Sequence, residues 1–369
     1  MKFSQFKDKA NRLREIDECI SYLNRCLWSD QKKAEFVEIS RLNLILRGNS
    51  DISLFLAVTK EYRSHKNPGK RVLACGYIGL IAFLLKLRLL RYFFNILTLE
   101  VSEFYPIILG GNNRLRFIDS SNSNAILISK NTNSDFFTNN AISAYQHGYF
   151  YNLDVIPIVL PINSTLYFEK QVKGIAINRL TLSKSGSAVV DISINALFTR
   201  QKELCNVVSL DVFLKHKTEV LINYSNTFKS EKNSELIRLF LGVSEQVQRC
   251  LGDSEVKIAP SHGDLNRGNV FYGQNKVSII DWEYYMYRYI DYDRVIYMNN
   301  LRHKSLADYS IFIKQTDKHD FDTVIFLVEE LLFRILNFKL DISDSQMHID
   351  EISYLIKQNK VRPNFRTAT

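Results

Sequence analysis

Cysteine is scarce in this sequence, with five in 369 residues. Cys19, Cys26, Cys75, Cys205 and Cys250 are scattered, odd in number and free of any C-x-x-C. That excludes a disulfide scaffold and a dithiol redox motif, and predicts reduced thiols. The seven histidines form no H-E-x-x-H, so a zinc hydrolase centre is not expected. No repeat of solenoid period and no low-complexity tract is visible. The longest uncharged apolar run, Val72–Leu85, has 14 residues, short of the roughly 20 that a transmembrane helix needs. Residues 1–30 lack the charged, apolar and small-residue succession of a secretory leader, which leads to the expectation of a cytoplasmic protein.

What remains is an ordinary globular composition, 46% hydrophobic, enough for two or three cored domains. The formal charge of +9 is uneven: residues 1–100 hold 18 Lys/Arg against 10 Asp/Glu, and the rest hold 30 against 29. No recognition module accompanies the basic balance, so nucleic acid is not an expected partner. Periodicity predicts helices over Phe3–Trp28, Gln31–Leu46 and Ile52–Arg63. Val72–Leu97 mixes bulky apolar residues with Lys86, Arg88, Arg91 and the trio Tyr92-Phe93-Phe94. Two readings of it stand: a buried helix packed on the rest of the chain, or an interfacial helix on an anionic membrane surface. The second would place the protein peripherally on the inner membrane face.

The richest stretch is Pro260–Glu283, PSHGDLNRGNVFYGQNKVSIIDWE. It reads as loop, strand, turn and strand: Asn269–Tyr272, then Gly273-Gln274-Asn275, then Val277–Ile280. Such a hairpin brings Asp264 and Asn269 on one side and Asp281 on the other to the same edge. Two carboxylates and an amide oxygen there suit a hard cation such as Mg²⁺.

His262, Asp264, Asn269, Asp281 and Glu283, in this order and spacing, resemble the aminoglycoside phosphotransferase and choline kinase family, small-molecule relatives of the protein kinases. That family writes H-x-D-x-x-x-x-N and then, roughly a dozen residues later, D-x-D/E. The resemblance implies that Asp264 orients the attacking hydroxyl and accepts its proton. It implies Asn269 and Asp281 as Mg²⁺ ligands, with Glu283 assisting the metal through water, and His262 as a brace of the loop. Asp293 falls where the family places a buried structural Asp.

Upstream, Phe104–Asp119 reads as strand, Gly-Gly-Asn-Asn turn and strand, and Asn124–Lys130 as a third strand. By the same resemblance Gly110 and Gly111 would cover the nucleotide, and Lys130 would pair with its phosphates. Ser164–Gly174, with Glu169 and Gln171, would form the hinge whose backbone binds adenine. One departure is visible: the acid that the family sets on the following helix, opposite the lysine, is missing from Asn139–Asn152. Asn140 or Gln146 would have to substitute, or Lys130 be held otherwise. Farther on, Leu236, Leu239, Phe240, Val243 and Val247 align on one helical face, and Phe321–Phe338 and Ile349–Lys357 read as two more helices.

The resemblance covers the chain from Phe104 onward. It implies an α+β, protein-kinase-like two-lobe fold. Residues 101–175 would be a small β-rich N-lobe with its hinge, and residues 176–369 a mostly helical C-lobe bearing the catalytic and metal-binding loops. Residues 1–100 would be a helical N-terminal extension. The implied activity is an ATP- and Mg²⁺-dependent phosphotransferase acting on a hydroxyl of a small molecule. A cationic antibiotic needs an acidic pocket, yet from Asp191 the chain holds 24 Asp/Glu and 23 Lys/Arg. The resemblance also admits choline, which wants an aromatic cage to which the run Tyr284–Tyr289 could contribute, though adjacent residues need not converge. A carbohydrate or lipid-linked carbohydrate is the expected acceptor. The competing expectation is a catalytically weak pseudokinase acting as a membrane- or partner-binding module. The missing helix acid favours it, and the intact Asp264, Asn269 and Asp281 oppose it.

Overall fold

The computed structural model describes residues 9–110, 114–130, 136–227, 231–303, 321–336, 349–350 and 352–353. The chain forms two compact units, Met1–Ala196 with Arg267–Tyr284, and Leu197–Asn266 with Tyr285–Thr369. It is α+β as expected, β-rich in the first unit and mostly helical in the second. The units divide the chain differently from the expected segments 1–100, 101–175 and 176–369: no break falls at residue 100, and Arg267–Tyr284 groups with the N-terminal residues.

The first unit is built on eight antiparallel strands. They are β1 (Gln31–Ile39), β2 (Leu44–Arg47), β3 (Asn95–Ser102), β4 (Ile107–Gly110), β5 (Arg114–Ile118), β6 (Asn124–Ser129), β7 (Val159–Asn163) and β8 (Leu166–Lys170). Their order in the sheet is β3-β1-β2-β4-β5-β6-β8-β7. The strands β4, β5 and β6 are the three that the sequence predicts on either side of the glycine turn.

The expectation for residues 1–100 needs correction. Gln31–Leu46, expected to be helical, is the hairpin of β1 and β2. Its bulky residues Phe36, Val37, Ile39, Leu44, Ile45 and Leu46 are buried on both faces, which a strand covered on two sides allows. Val72–Leu97 is helical only as far as Lys86. Arg88 turns into the left-handed region at φ 58, and from Asn95 the chain pairs with β1 as β3.

Alternation along the strands fills two cores. Phe36, Ile45, Ile108, Phe117, Ile126 and Ile128 pack with Ile16, Cys19, Ile20 and Leu23 of the helix Lys9–Cys26. Val37, Leu44, Leu46, Ile107, Leu127 and Tyr167 pack on the other face with Ile78, Ile81 and Leu85 of the helix Pro68–Lys86.

In the second unit Asn206–Ser209, Glu255–Ser261 and Met286–Tyr289 form a three-stranded sheet. The helices Leu210–Thr227, Glu231–Leu251 and Phe321–Leu336 pack on one another. Of the five residues that spacing aligns on one face of Glu231–Leu251, Leu236, Phe240, Val243 and Val247 are buried and Leu239 is half-buried. Of Ile349–Lys357, residues 349–350 and 352–353 are helical and the rest lies outside the described residues.

Candidate active site

In the first unit the acidic motif sits on a two-residue hairpin. Val270–Gly273 pairs with Lys276–Ile279, and Gln274 and Asn275 turn the chain at φ 53 and 57, the left-handed pair of a type I′ turn. The Ile280 amide donates to the Asn269 carbonyl at 2.9 Å. Asn269 and the residue before Asp281 therefore face each other across the open end of the hairpin, as the sequence predicts. Asp281 then adopts φ 71, a conformation uncommon outside glycine and concentrated at functional positions. Trp282-Glu283-Tyr284 form a buried turn. Asn140, one of the expected substitutes for the missing acid, donates instead to the Glu283 carbonyl at 3.0 Å. Tyr284 packs edge-on against Phe137, and Trp282 packs on Phe150.

The cation facing these acids is Arg114, the first residue of β5, a residue outside every motif in the sequence. Its Nη2 donates to Asp281 Oδ1, its Nε lies 3.1 Å from Glu283 Oε2, and its Nη1 donates to the Tyr167 hydroxyl. Burial opposes the charge of this guanidinium, but Tyr167, Glu283 and Asp281 outweigh burial and hold it above its ordinary value. Burial likewise pushes the Tyr167 phenol up. Two residues along β5, Arg116 pairs with Glu169 at 2.9 Å. The alternation Arg114, Arg116, Ile118 was the available sign that one face of β5 is cationic at its start.

Strand register explains where Lys130 goes. Arg114 lies opposite Ser129, so those two share a face, and Lys130 falls on the other with Ile126 and Ile128. There its Nζ is 3.7 Å from Glu15 of the helix Lys9–Cys26. Of the expected alternatives, Lys130 is thus held otherwise, by an acid from residues 1–100, while Arg114 meets Asp281. The expected hinge groups are engaged within the sheet. The Gln171 amide donates to the Ser123 carbonyl at 2.9 Å, and Glu169 is laddered to both Ala125 and Val159. Gly110 donates its amide to the Asn43 carbonyl at 3.0 Å, an approach so close that a Cβ there would collide with the Asn43 side chain. Gly111 lies outside the described residues.

The Asp281 side chain is 38% exposed and the Glu283 side chain 5%. Among the described residues no group of three or more His, Cys, Asp or Glu gathers to cage a metal. The donors present suit a different arrangement, a Mg²⁺ that arrives on a nucleotide and takes one or two carboxylates beside phosphate oxygens. Both acids meet Arg114, and Asp281, the more exposed of the two, is the carboxylate within reach of such a cation.

The second unit carries the other half of the motif. The strand Glu255–Ser261 runs into His262-Gly263-Asp264, where Gly263 has φ 84, a region natural to glycine. Asp293 is fully buried. It accepts from the His262 amide at 2.6 Å, the Gly263 amide at 3.0 Å and the Gln201 side chain at 2.8 Å. This is the structural Asp of the sequence prediction. His262, also buried, accepts the Asp264 amide on Nδ1 at 3.2 Å; it braces the loop, as expected.

Asp264 has a partner that no motif marked. Arg302, 38 residues on, donates from Nε to Asp264 Oδ1 at 2.7 Å. Its Nη1 forks onto both Glu330 oxygens at 2.6 and 2.7 Å, and its guanidinium carbon lies 3.7 Å over the Phe333 ring. Arg334 adds a 2.7 Å contact to Glu330. Burial opposes the charge of Glu330, but Arg302 and Arg334 win and hold its carboxyl at about 2. Burial also opposes the charge of Arg302, which Glu330, Tyr292 and Asp264 keep well above its ordinary value.

Residues 231–317 match the model of the Phosphotransferase enzyme family, a span that holds His262, Asp264, Asn269, Asp281, Glu283 and Asp293. Over that span the resemblance read from the motif is borne out, and with it the expectation of a phosphotransferase. Solved structures similar to this chain include the ADP-bound aminoglycoside phosphotransferase APH(2'')-Ib, at 13% identity over 68% of this chain and 91% of that one, with a TM-score of 0.37. A Plasmodium vivax ethanolamine kinase is 15% identical over 85% and 97%, with a TM-score of 0.42. A choline/ethanolamine kinase family protein from Mesorhizobium loti is 14% identical over 68% and 87%, with a TM-score of 0.36. No curated protein sequence matches the chain.

Proposed function

We propose that the chain transfers the terminal phosphoryl group of ATP to a hydroxyl of a small molecule, with Mg²⁺ carried in on the nucleotide. The observation that supports this best is the His262-Gly263-Asp264 turn, braced by buried Asp293 within the segment that matches the Phosphotransferase enzyme family. In this reading Asp264 accepts the hydroxyl proton as the hydroxyl oxygen bonds to the γ-phosphorus and the bridge to ADP breaks. Arg302 fixes the orientation of that carboxylate. Bound Mg²⁺ would supply charge neutralisation on the phosphates. Asp281 is the residue that would hold it, with Asn269 beside it. Arg114 sets the position of Asp281 and Glu283.

For the acceptor we retain a carbohydrate or lipid-linked carbohydrate hydroxyl. Its support is the balanced charge from Asp191 onward, 24 Asp/Glu against 23 Lys/Arg, which offers no acidic surplus to a polycation. Protein incubated with γ-labelled ATP, Mg²⁺ and fractionated metabolite extracts should label one hydroxyl-bearing fraction. Asp264→Asn should lose that labelling and keep ATP binding. Labelling that survives Asp264→Asn overturns the proposal.

One observation favours a second reading, a pseudokinase. Asp264 and Asp281 are each ion-paired to an arginine. Nucleotide binding with no labelled product from any fraction would support it.

A further inference from the structure

We propose that the helix Pro68–Lys86 and the turn after it dock on an anionic lipid bilayer, lying in its surface. The helix is apolar on two sides. One stripe, Ile78, Ile81, Leu84 and Leu85, is buried in the core under the sheet. A second line, Leu73, Leu80, Phe83 and Leu87, is exposed, with 75% of Leu73 and 57% of Phe83 open to solvent. Gly76 stands in that line, and a Cβ there would meet nothing. Stepping three and four residues at a time, these positions share one helical face. Beyond the helix, Tyr92 and Phe93 are each 65% exposed. A contiguous exposed apolar face of this kind marks an interaction surface.

Charge names the occupant. From Tyr62 to Leu99 the chain has seven Lys/Arg and no Asp or Glu. Lys70, Arg71, Lys86, Arg88 and Arg91 are all exposed around the apolar line. A second copy of this chain would set that cationic rim against itself, whereas anionic headgroups are attracted, by about fivefold in affinity for each Lys or Arg at the surface. The helix lies on the bilayer and does not cross it. Its buried stripe stays in the core, and at Asn95 the chain is already back in the sheet.

The docking does not depend on the phosphotransferase reading. If that reading holds, docking would bring the enzyme to a lipid-linked acceptor, but vesicle binding is read without turnover, so the two can fail separately. The full chain should sediment with vesicles of phosphatidylcholine and phosphatidylserine at low salt, and less so as salt rises. It should not sediment with phosphatidylcholine alone. Lys70→Glu with Lys86→Glu should weaken binding at least about tenfold. Leu73→Ser with Phe83→Ser should abolish it while circular dichroism stays unchanged, because both side chains stand in solvent. Equal binding to the zwitterionic vesicles, or binding indifferent to both pairs of changes, overturns the proposal. So does a self-associated chain that Leu73→Ser with Phe83→Ser turns into a monomer.

Discussion

Arg114 Nη2 donates to Asp281 Oδ1 across 167 residues of chain, and the same guanidinium meets Glu283 through Nε. The strand β5 is thereby tied to the acidic end of the Val270–Ile279 hairpin. The tie makes the acidic pair a preassembled feature of the first unit.

Removing that guanidinium should be costly. Arg114→Gln takes away the partner of buried Glu283 and should lower stability by about 3–5 kcal/mol, whereas Lys130→Ala loses a partly exposed pair and should cost under about 1 kcal/mol. Urea denaturation of the two variants measures the difference. Equal, small losses would remove the clamp from the account.

Asp264 and Asp281 should fail in different ways. Asp264→Asn should lower kcat by roughly 10²–10⁴-fold, the usual worth of a general base, and leave nucleotide affinity alone. Asp281→Asn should weaken Mg²⁺-nucleotide binding, read by calorimetry without any acceptor. Wild-type calorimetry from Asp281→Asn would show that the cation is held by other residues.

Asp293 should be structural and nothing more. Asp293→Ala strips three buried donors of their acceptor, each worth about 1–3 kcal/mol when left unmet. Asp293→Asn keeps an acceptor oxygen and should recover part of the loss. If Asp293→Ala folded as stably as the parent, the bracing of the His262-Gly263-Asp264 turn would have to come from elsewhere.

Acid should unfold the second unit partly through Glu330. Its carboxyl takes up a proton at about 2 in the folded chain, against 4.5 ordinarily. The unfolded chain binds that proton first as pH falls, so the stabilisation is full above about 4.5 and gone by about 2, on the order of 3 kcal/mol in all. Glu330→Gln should flatten stability against pH across that window. An unchanged acid slope would place the titrating group elsewhere.

Several of these residues were legible in sequence and others were not, for reasons that can be traced. His262, Asp264, Asn269, Asp281 and Asp293 follow one another at fixed spacings, and the Gln274-Asn275 turn between two apolar runs announces its hairpin. The buried line through Leu236, Phe240, Val243 and Val247 shows in helical period. For Lys130 the strand-end lysine is visible in sequence but the face it occupies is not; a shift of one residue separates Glu15 from Asp281. Arg114 and Arg302 meet their acids only through long-range folding; the alternation Arg114, Arg116 marks a cationic strand face but not the acids it meets, and nothing local marks Arg302. Gln31–Leu46 misled because a strand buried on both faces loses the alternation that identifies strands.

The pairing of β2 with β4, Leu44 opposite Leu109 and Leu46 opposite Ile107, has a consequence for anyone who shortens this protein. A chain starting near residue 100 would leave Ile107–Gly110 as a bare rim of unmet amides and carbonyls, flanked by Ile107, Ile108 and Leu109. Such a rim recruits strands from other molecules. The shortened protein should clump, and its loss of vesicle binding would say nothing about lipid. Point changes on the exposed line of Pro68–Lys86 leave the rim covered and are the sound way to ask the question.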